Sequence, residues 1–357
     1  MDTNINLELV NLIFLIIILG IISSWFDIKK RKIPNSLLVL PIMFGFILNI
    51  TTEIVSFQIN YLINLLFAFF IGFLLWYINF WNAGDGKLFL TFVSLVPVEL
   101  VFRNKINLYS YDIIFYTFVP VFFVFLIFLL TQTRKEEFFY ALKQSFKPKI
   151  IFNIFIAFFS FQWIIQLINI NFGLKLNFFF SALILFFVFD ALEKILRLKL
   201  INLFYVIFVL RIFIDGNNIF SINFIIHFLY QISIFLVFVY FFIYIAYFKF
   251  GVHVKISDLK IGMNLCEKII KKKEKYSVIP DIKISLFMFL HDKVKQEAVI
   301  DIKPEGLTKE EIRKIQTWNK TGKIEVGSLL IQKRIPYAPF QFLGVVIAIL
   351  AYIFNFI

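Results

Sequence analysis

A single cysteine, Cys266, in 357 residues excludes an internal disulfide and any cysteine-rich zinc cluster. Charge is scarce too: Asp, Glu, Lys and Arg supply 17% of the chain, against about 25% in ordinary soluble domains. Acids are the rarer sign, which leaves a formal net charge of +13. Residues 1–7 carry an acid and no base, so they lack the basic start of a secretory signal. No RNP-type or zinc-finger pattern accompanies the positive charge, so nucleic acid is not expected as a partner. No internal repeat is evident.

Apolar residues fill the space those absences leave. They make up 61% of the chain, and mean hydropathy is +0.87. Runs of about 20 apolar residues, enough to cross a bilayer core, recur along most of the sequence. These features predict an all-α polytopic membrane protein of roughly ten transmembrane helices, in contact with membrane lipids. The Phe, Ile, Asn and Lys bias matches an AT-rich coding sequence and carries no functional weight.

Basic residues orient the spans. The first run, about 8–26, is followed by Lys29-Lys30-Arg31-Lys32, which marks the cytoplasmic side and leaves the N-terminus outside. Pro34 breaks the chain, and a second helix is predicted near 36–56. A third covers about 61–81, and a fourth runs from Lys87 to near Phe102. Further spans fall at about 112–132, 150–170 and 176–193, up to Ile214, and at 219–248, with Asp215-Gly216-Asn217-Asn218 as an outer turn. Arg134, Lys135, Lys143, Lys147 and Lys149, then Lys194, Arg197 and Lys199, fall on predicted inner loops. The predicted outer segments hold only scattered bases, Arg103, Lys105, Lys175 and Arg211.

Composition changes near residue 249, and 249–336 reads as a small cytoplasmic α/β domain inserted before the last helix. Ile300 and Ile302 alternate with Asp301 and Lys303 as in a half-buried strand. Thr308 and Glu311 have capping-box spacing, for a helix running to about Asn319 and ending before Gly322. Lys323 to Leu330 predicts another strand, and a last span follows at about 340–357.

Alternation of the spans places Asp27, after the first, and Asp85, before the fourth, at one cytoplasmic face. Two carboxylates about 3 Å apart share a proton. The ionised one can take a proton from water while the protonated one donates to a carbonyl or leaving amine. Asp85 at a helix start is favoured as the anion, and Asp27 at a helix end is not. Gly84 and Gly86 allow the backbone beside Asp85 to bend and another segment to approach. Taken singly, Asp27 also fits a helix end beside solvating lysines, and Asp85 an ordinary cap. Asp190 is an intramembrane acid or a helix end, His227 reads as a packed or hydrogen-bonded histidine, and Lys271-Lys272-Lys273 as a solvated or headgroup-facing surface.

Asp27 with Ile33-Pro34-Asn35, then two spans, then Gly84-Asp85-Gly86-Lys87-Leu88, resembles the prepilin peptidase family of membrane aspartyl proteases, which includes the archaeal preflagellin peptidases. Asn82 stands where the family's Gly-x-Gly-Asp motif has its first glycine. The resemblance implies that Asp27 and Asp85 are catalytic, with Pro34, Asn35, Gly84, Gly86 and Lys87 as supporting motif residues, and with no metal or other cofactor. It implies cleavage of short basic leader peptides from prepilin-like or preflagellin-like precursors at the cytoplasmic face. A weaker likeness, in Asp258–Met263, Gly306–Ile312 and Ile335-Pro336-Tyr337-Ala338-Pro339-Phe340, points to archaeal members. The paired cysteines of bifunctional bacterial members are missing, so methyl transfer by their arrangement is not expected.

The implied organisation is a catalytic membrane core at 1–105, additional helices at 106–248, the α/β domain at 249–336 and a C-terminal transmembrane helix at 337–357. Two other classes stay open. One is a presenilin-like intramembrane protease, although its aspartates lie on consecutive spans and no Pro-Ala-Leu element is found here. The other is a non-enzymatic transport or assembly component.

Overall fold

The computed structural model describes residues 7–51, 54–77, 80–101, 107–132, 135, 148–173, 178, 181–182, 184–185, 188–189, 201–235, 251–272, 275–280, 298–300, 306–324, 326–332 and 336–354. The chain divides into two compact units. One comprises Met1–Phe125, Leu167–Leu176 and Arg334–Ile357, the other Leu126–Gln166 and Asn177–Lys333.

The first unit is built from α1 (Leu7–Lys30), α2 (Asn35–Ile50), α3 (Val55–Tyr77), α4 (Ala83–Leu95), the single turn α5 (Val98–Val101) and α6 (Tyr109–Gln132), whose residues from Leu126 onward count with the second unit. The last helix of the chain, Ala338–Ile353, also belongs to it. The fourth helix differs from expectation at both ends. It starts at Ala83, not Lys87, because Asn82 supplies a cap, and it stops at Leu95, because Val96 is extended ahead of Pro97. Asn49 of α2 repairs that break. Its amide donates to the Ser94 carbonyl at 3.1 Å, and its oxygen accepts the Val98 N–H at 2.9 Å.

Asn64 of α3 does the same for α6, accepting the Ser110 N–H at 2.9 Å and donating to the Asn107 carbonyl at 2.7 Å. Asn60 accepts the Asn107 N–H at 3.0 Å, and the Tyr352 hydroxyl bonds the Asp112 carboxylate. Backbone groups released at helix ends are therefore met by buried side chains, as an apolar surround requires.

In the second unit, α7 (Pro148–Phe172, whose last turns count with the first unit), α8 (Ile201–Ile214) and α10 (Ile222–Phe235) are apolar, and the polar turn α9 (Gly216–Ile219) stands between the last two. The expected outer turn at Asp215–Asn218 is helical from Gly216 onward. Arg211 is not a loop base but lies fully buried in α8, donating to the Phe159 carbonyl and flanked by the Phe159 and Phe224 rings. His227 is hydrogen-bonded, its Nε2 lying 2.8 Å from the Gln231 amide nitrogen. Asp190, the span at 176–193 apart from scattered positions, and the bases Arg103, Lys105, Arg134, Lys143, Lys147, Lys175, Lys194, Arg197 and Lys199 lie outside the described residues.

The same unit carries the α/β region. Strands β1 (Gly251–Lys255) and β5 (Ser328–Gln332) pair antiparallel, and β2 (Glu267–Lys272) lies between β3 (Lys275–Pro280) and β4 (Ala298–Ile300), antiparallel to both. The last strand is β5, shifted toward the C-terminus from the expected Lys323–Leu330, because the residues after Gly322 first bond back to Trp318 and Tyr276. Ile302 and Lys273 lie outside the described residues. Helix α11 (Lys309–Lys320) begins with the expected capping box. Glu311 accepts the Thr308 N–H at 2.9 Å, and Thr308 Oγ1 accepts the Glu311 N–H at 3.3 Å. Its Ile312 and Ile315 close an aliphatic core with Ile256, Ile269, Ile300 and Leu329. Gly306 precedes it at φ +76°, where a Cβ would meet the Gly262 carbonyl carbon at 2.5 Å.

By length and composition, Val10–Lys30, Val55–Tyr77, Tyr109–Phe128 and Ile154–Phe172 can cross a membrane. Asn35–Ile50, Asn202–Ile214, Ile222–Ser233 and the C-terminal Ala338–Ile353, here α12, are shorter apolar helices. The chain is mostly helical, with four candidate spans and a small sheet region among the described residues.

Candidate active site

The C-terminal end of α1 and the N-terminal ends of α2, α4 and α12 meet at one end of the first unit. Asp27 stands in the last turn of α1, which continues to Lys30 and closes with Arg31 at φ +52°. Its carboxylate is buried at 4% exposure, and Oδ2 accepts the Ala338 N–H at 3.0 Å. The lysines after it lie over aromatic rings, Lys30 Nζ 4.9 Å from the Phe26 centroid and Lys29 Nζ 5.7 Å from that of Trp25.

Asp85 is the third residue of α4, inside the helix instead of capping it, and is buried at 2% exposure. Its Oδ2 accepts the Asn82 N–H at 2.9 Å, the reach-back of a capping box. Asn82 itself is extended at φ −78°, a conformation that does not require glycine. The departure from the expected glycine therefore leaves the local backbone ordinary. Asp85 also presents its main-chain carbonyl to Gln341 Nε2 at 3.1 Å, and Tyr337 lies within electrostatic reach of the Asp85 charge.

The expected supporting residues gather here as well. Pro34 caps α2 in extended geometry, φ −65°. Asn35 Oδ1 accepts a hydrogen bond from Lys87 Nζ at 3.0 Å, joining the two stretches that the resemblance singled out. Gly84 packs on Ile33, where a Cβ would sit at an ordinary 3.7 Å. Gly86 is tighter: its Cβ would lie 3.0 Å from the Gly72 carbonyl oxygen of α3, so the two helices cross glycine to glycine. Trp81 covers the turn into α4, stacked on Phe118 at 6.1 Å and tilted against Tyr337 at 6.3 Å.

Reading the residues alone missed four participants: Gly72, Tyr337, Ala338 and Gln341. Tyr337 and Ala338 lie in the Ile335–Phe340 stretch, already noted for its likeness to archaeal chains. Gln341 is the one amide at the start of an apolar run, and Gly72 is a small residue inside another.

Chemically, the arrangement gathers two buried carboxylates at the end of apolar helices, each oriented by a main-chain N–H. Each N–H comes from the start of a helix, Asn82 before α4 and Ala338 opening α12. Asp27, at the C-terminal end of α1, thus also faces the N-terminal end of α12, so a helix N-terminus reaches both acids.

Residues 13–161 match the type IV leader peptidase family, and residues 225–329 match the archaeal peptidase A24 C-terminal domain. Together the two matches span well over half of the chain. No curated protein and no solved structure matches it. With its apolar helices, the chain is a membrane peptidase. It belongs to the prepilin and preflagellin peptidase family.

Proposed function

We propose that the protein is a membrane aspartyl endopeptidase that removes short basic leader peptides from type IV prepilin-like or preflagellin-like precursors at the cytoplasmic membrane face. Asp27 and Asp85 are its catalytic pair, and Pro34, Asn35, Gly84, Gly86 and Lys87 hold their surroundings. The observation that carries this reading is the burial of both carboxylates around one short segment, Tyr337–Gln341, which bonds to each aspartate.

The pair titrates as a unit and shares one proton. The ionised carboxylate draws a proton from a water between the two, and that water attacks the scissile carbonyl. The protonated carboxyl donates to the carbonyl oxygen as the tetrahedral intermediate forms. Collapse returns a proton to the leaving amine, so the acid and base roles are exchanged and restored. Asp27 and Asp85 end and begin helices at one level, so a substrate anchored by its own apolar helix would present its leader junction at the membrane boundary, where water is available.

The chain is read as about ten spans with the N-terminus outside, a catalytic core at 1–105 and extra helices at 106–248. The domain at 249–336 is read as cytoplasmic and the helix at 337–357 as the last span. The soluble domain is assigned to substrate docking. Co-expression with a prepilin-like precursor tests the reading through leader removal on a gel. Processing that persists in both Asp27→Asn and Asp85→Asn rules it out. Deletion of 249–336 with unchanged rate and selectivity, in a correctly inserted protein, rules out the docking role.

A further inference from the structure

The first turn of α12 reaches both acids. Ala338 is its first residue and Gln341 its fourth, so they lie one turn apart on the same side of the helix. The Ala338 N–H is bonded to the Asp27 carboxylate, and the Gln341 amide to the Asp85 main-chain carbonyl. Gln341 is fully buried, and its Oε1 has no hydrogen-bond partner among the described residues. An apolar side chain would avoid that orphaned acceptor, yet an amide stands there, and its nitrogen side is the part in use. The orientation of the amide follows from the partner: a carbonyl oxygen needs a donor.

We propose that Gln341 is a positioning residue, and that the first turn of α12 is a strut fixing Asp85 relative to Asp27. The proposal rests on the aspartyl peptidase reading and adds the element that sets its geometry. Asp27 and Asp85 belong to different helices, each near an end, where helices fray. Asn82 orients the Asp85 carboxylate and Gly72 seats α4 against α3, but neither ties α4 to α1. The α12 turn does so through two hydrogen bonds on one rigid element. A shared water and a shared proton tolerate little change in spacing, and a misplacement of about 1 Å costs roughly 100-fold in rate.

The test uses the full-length protein with a purified precursor. Gln341→Glu is nearly isosteric and at neutral pH places an acceptor against the Asp85 carbonyl. Once protonated it can donate again. We expect its kcat to fall roughly 30- to 100-fold at neutral pH with KM little changed, and to recover in part as the pH is lowered. Gln341→Leu should lose a similar factor without recovery in acid.

An activity-independent arm places spin labels at Ile28→Cys and Ala83→Cys, both exposed, in a Cys266→Ser background. The distance distribution between them should broaden or shift in Gln341→Leu. Wild-type rates and pH profiles in both Gln341 variants overturn the proposal. So does a loss of rate with an unchanged distance distribution. If the wild-type chain cleaves no precursor while the distribution still broadens in Gln341→Leu, the strut stands and the peptidase reading falls.

Discussion

The helices around Asp27 and Asp85 bury polar side chains among apolar ones such as Leu88, Phe89 and Phe92, whereas the cluster inside the α/β region at 251–332 is aliphatic. The first region turns Leu40, Leu66 and Phe69 outward and keeps Asn49, Asn60, Asn64, Ser94 and both aspartates inside. The second closes over Ile256, Ile269, Ile300, Ile315 and Leu329, with lysines such as Lys255, Lys271 and Lys320 exposed. The contrast follows from the solvent each region faces. Against lipid, apolar side chains gain nothing by turning inward, so close packing and internal hydrogen bonds hold helices together. Against water, aliphatic burial stabilises by about 25 cal/mol per Å². Buried polar groups are thus the ordinary glue of the membrane part, and an acid such as Asp27 or Asp85 can be embedded there because a helix-end N–H meets its carboxylate.

The sharpest test of this contrast exchanges charge for shape at the site. Asp27→Asn and Asp85→Asn each keep a side chain of the same size and are expected to lower leader cleavage roughly 1,000-fold, with detergent-extracted protein melting near the wild-type temperature. A gel assay of precursor processing beside a thermal scan measures both. In the α/β region, Ile315→Ala empties a fully buried position and should cost about 2–5 kcal/mol. Limited proteolysis should then cut within 251–332 while α1–α4 stay protected.

The membrane part should respond in the reverse sense to an apolar replacement. Asn64→Leu raises hydropathy but strands the Ser110 N–H and the Asn107 carbonyl, at about 1–3 kcal/mol, measurable as a lower melting temperature in detergent. The smallest effect is expected at Cys266, whose thiol is pushed up to about 12 by burial and by the neighbouring Glu267 charge. A raised folded-state value means that its contribution to stability is complete below the unfolded thiol value, about 8.5, and is lost as pH rises from there toward 12. Alkylation at pH 8.5 should accordingly be slow in the native protein and fast after denaturation.

Much of the site was legible in the residue order because its parts are local. Ile33-Pro34-Asn35 breaks a helix wherever it falls, and Asp85 with its glycines opens one. Charge alternation then raises the expectation that Asp27 and Asp85 share one level. The capping box at Thr308 and Glu311 was legible for the same reason, since its bonds span three residues. The start of α4 was not, because Asn82 reads as a broken motif until its N–H is seen bonded to the Asp85 carboxylate. Arg211 was misplaced because a lone base in an apolar run looks like a loop, whereas two aromatic rings and a carbonyl shelter it inside a helix.

Residue order alone therefore determined the membrane class, the candidate acids and the presence of a polar α/β stretch near 251–332, since hydropathy, charge and short motifs depend only on neighbours in the chain. Tertiary structure decided what holds the acids. The Gly72–Gly86 crossing, the Asn35–Lys87 bond and the contacts of Ala338 and Gln341 join segments far apart in sequence. Such contacts depend on where folded helices end relative to one another, and no local pattern encodes that.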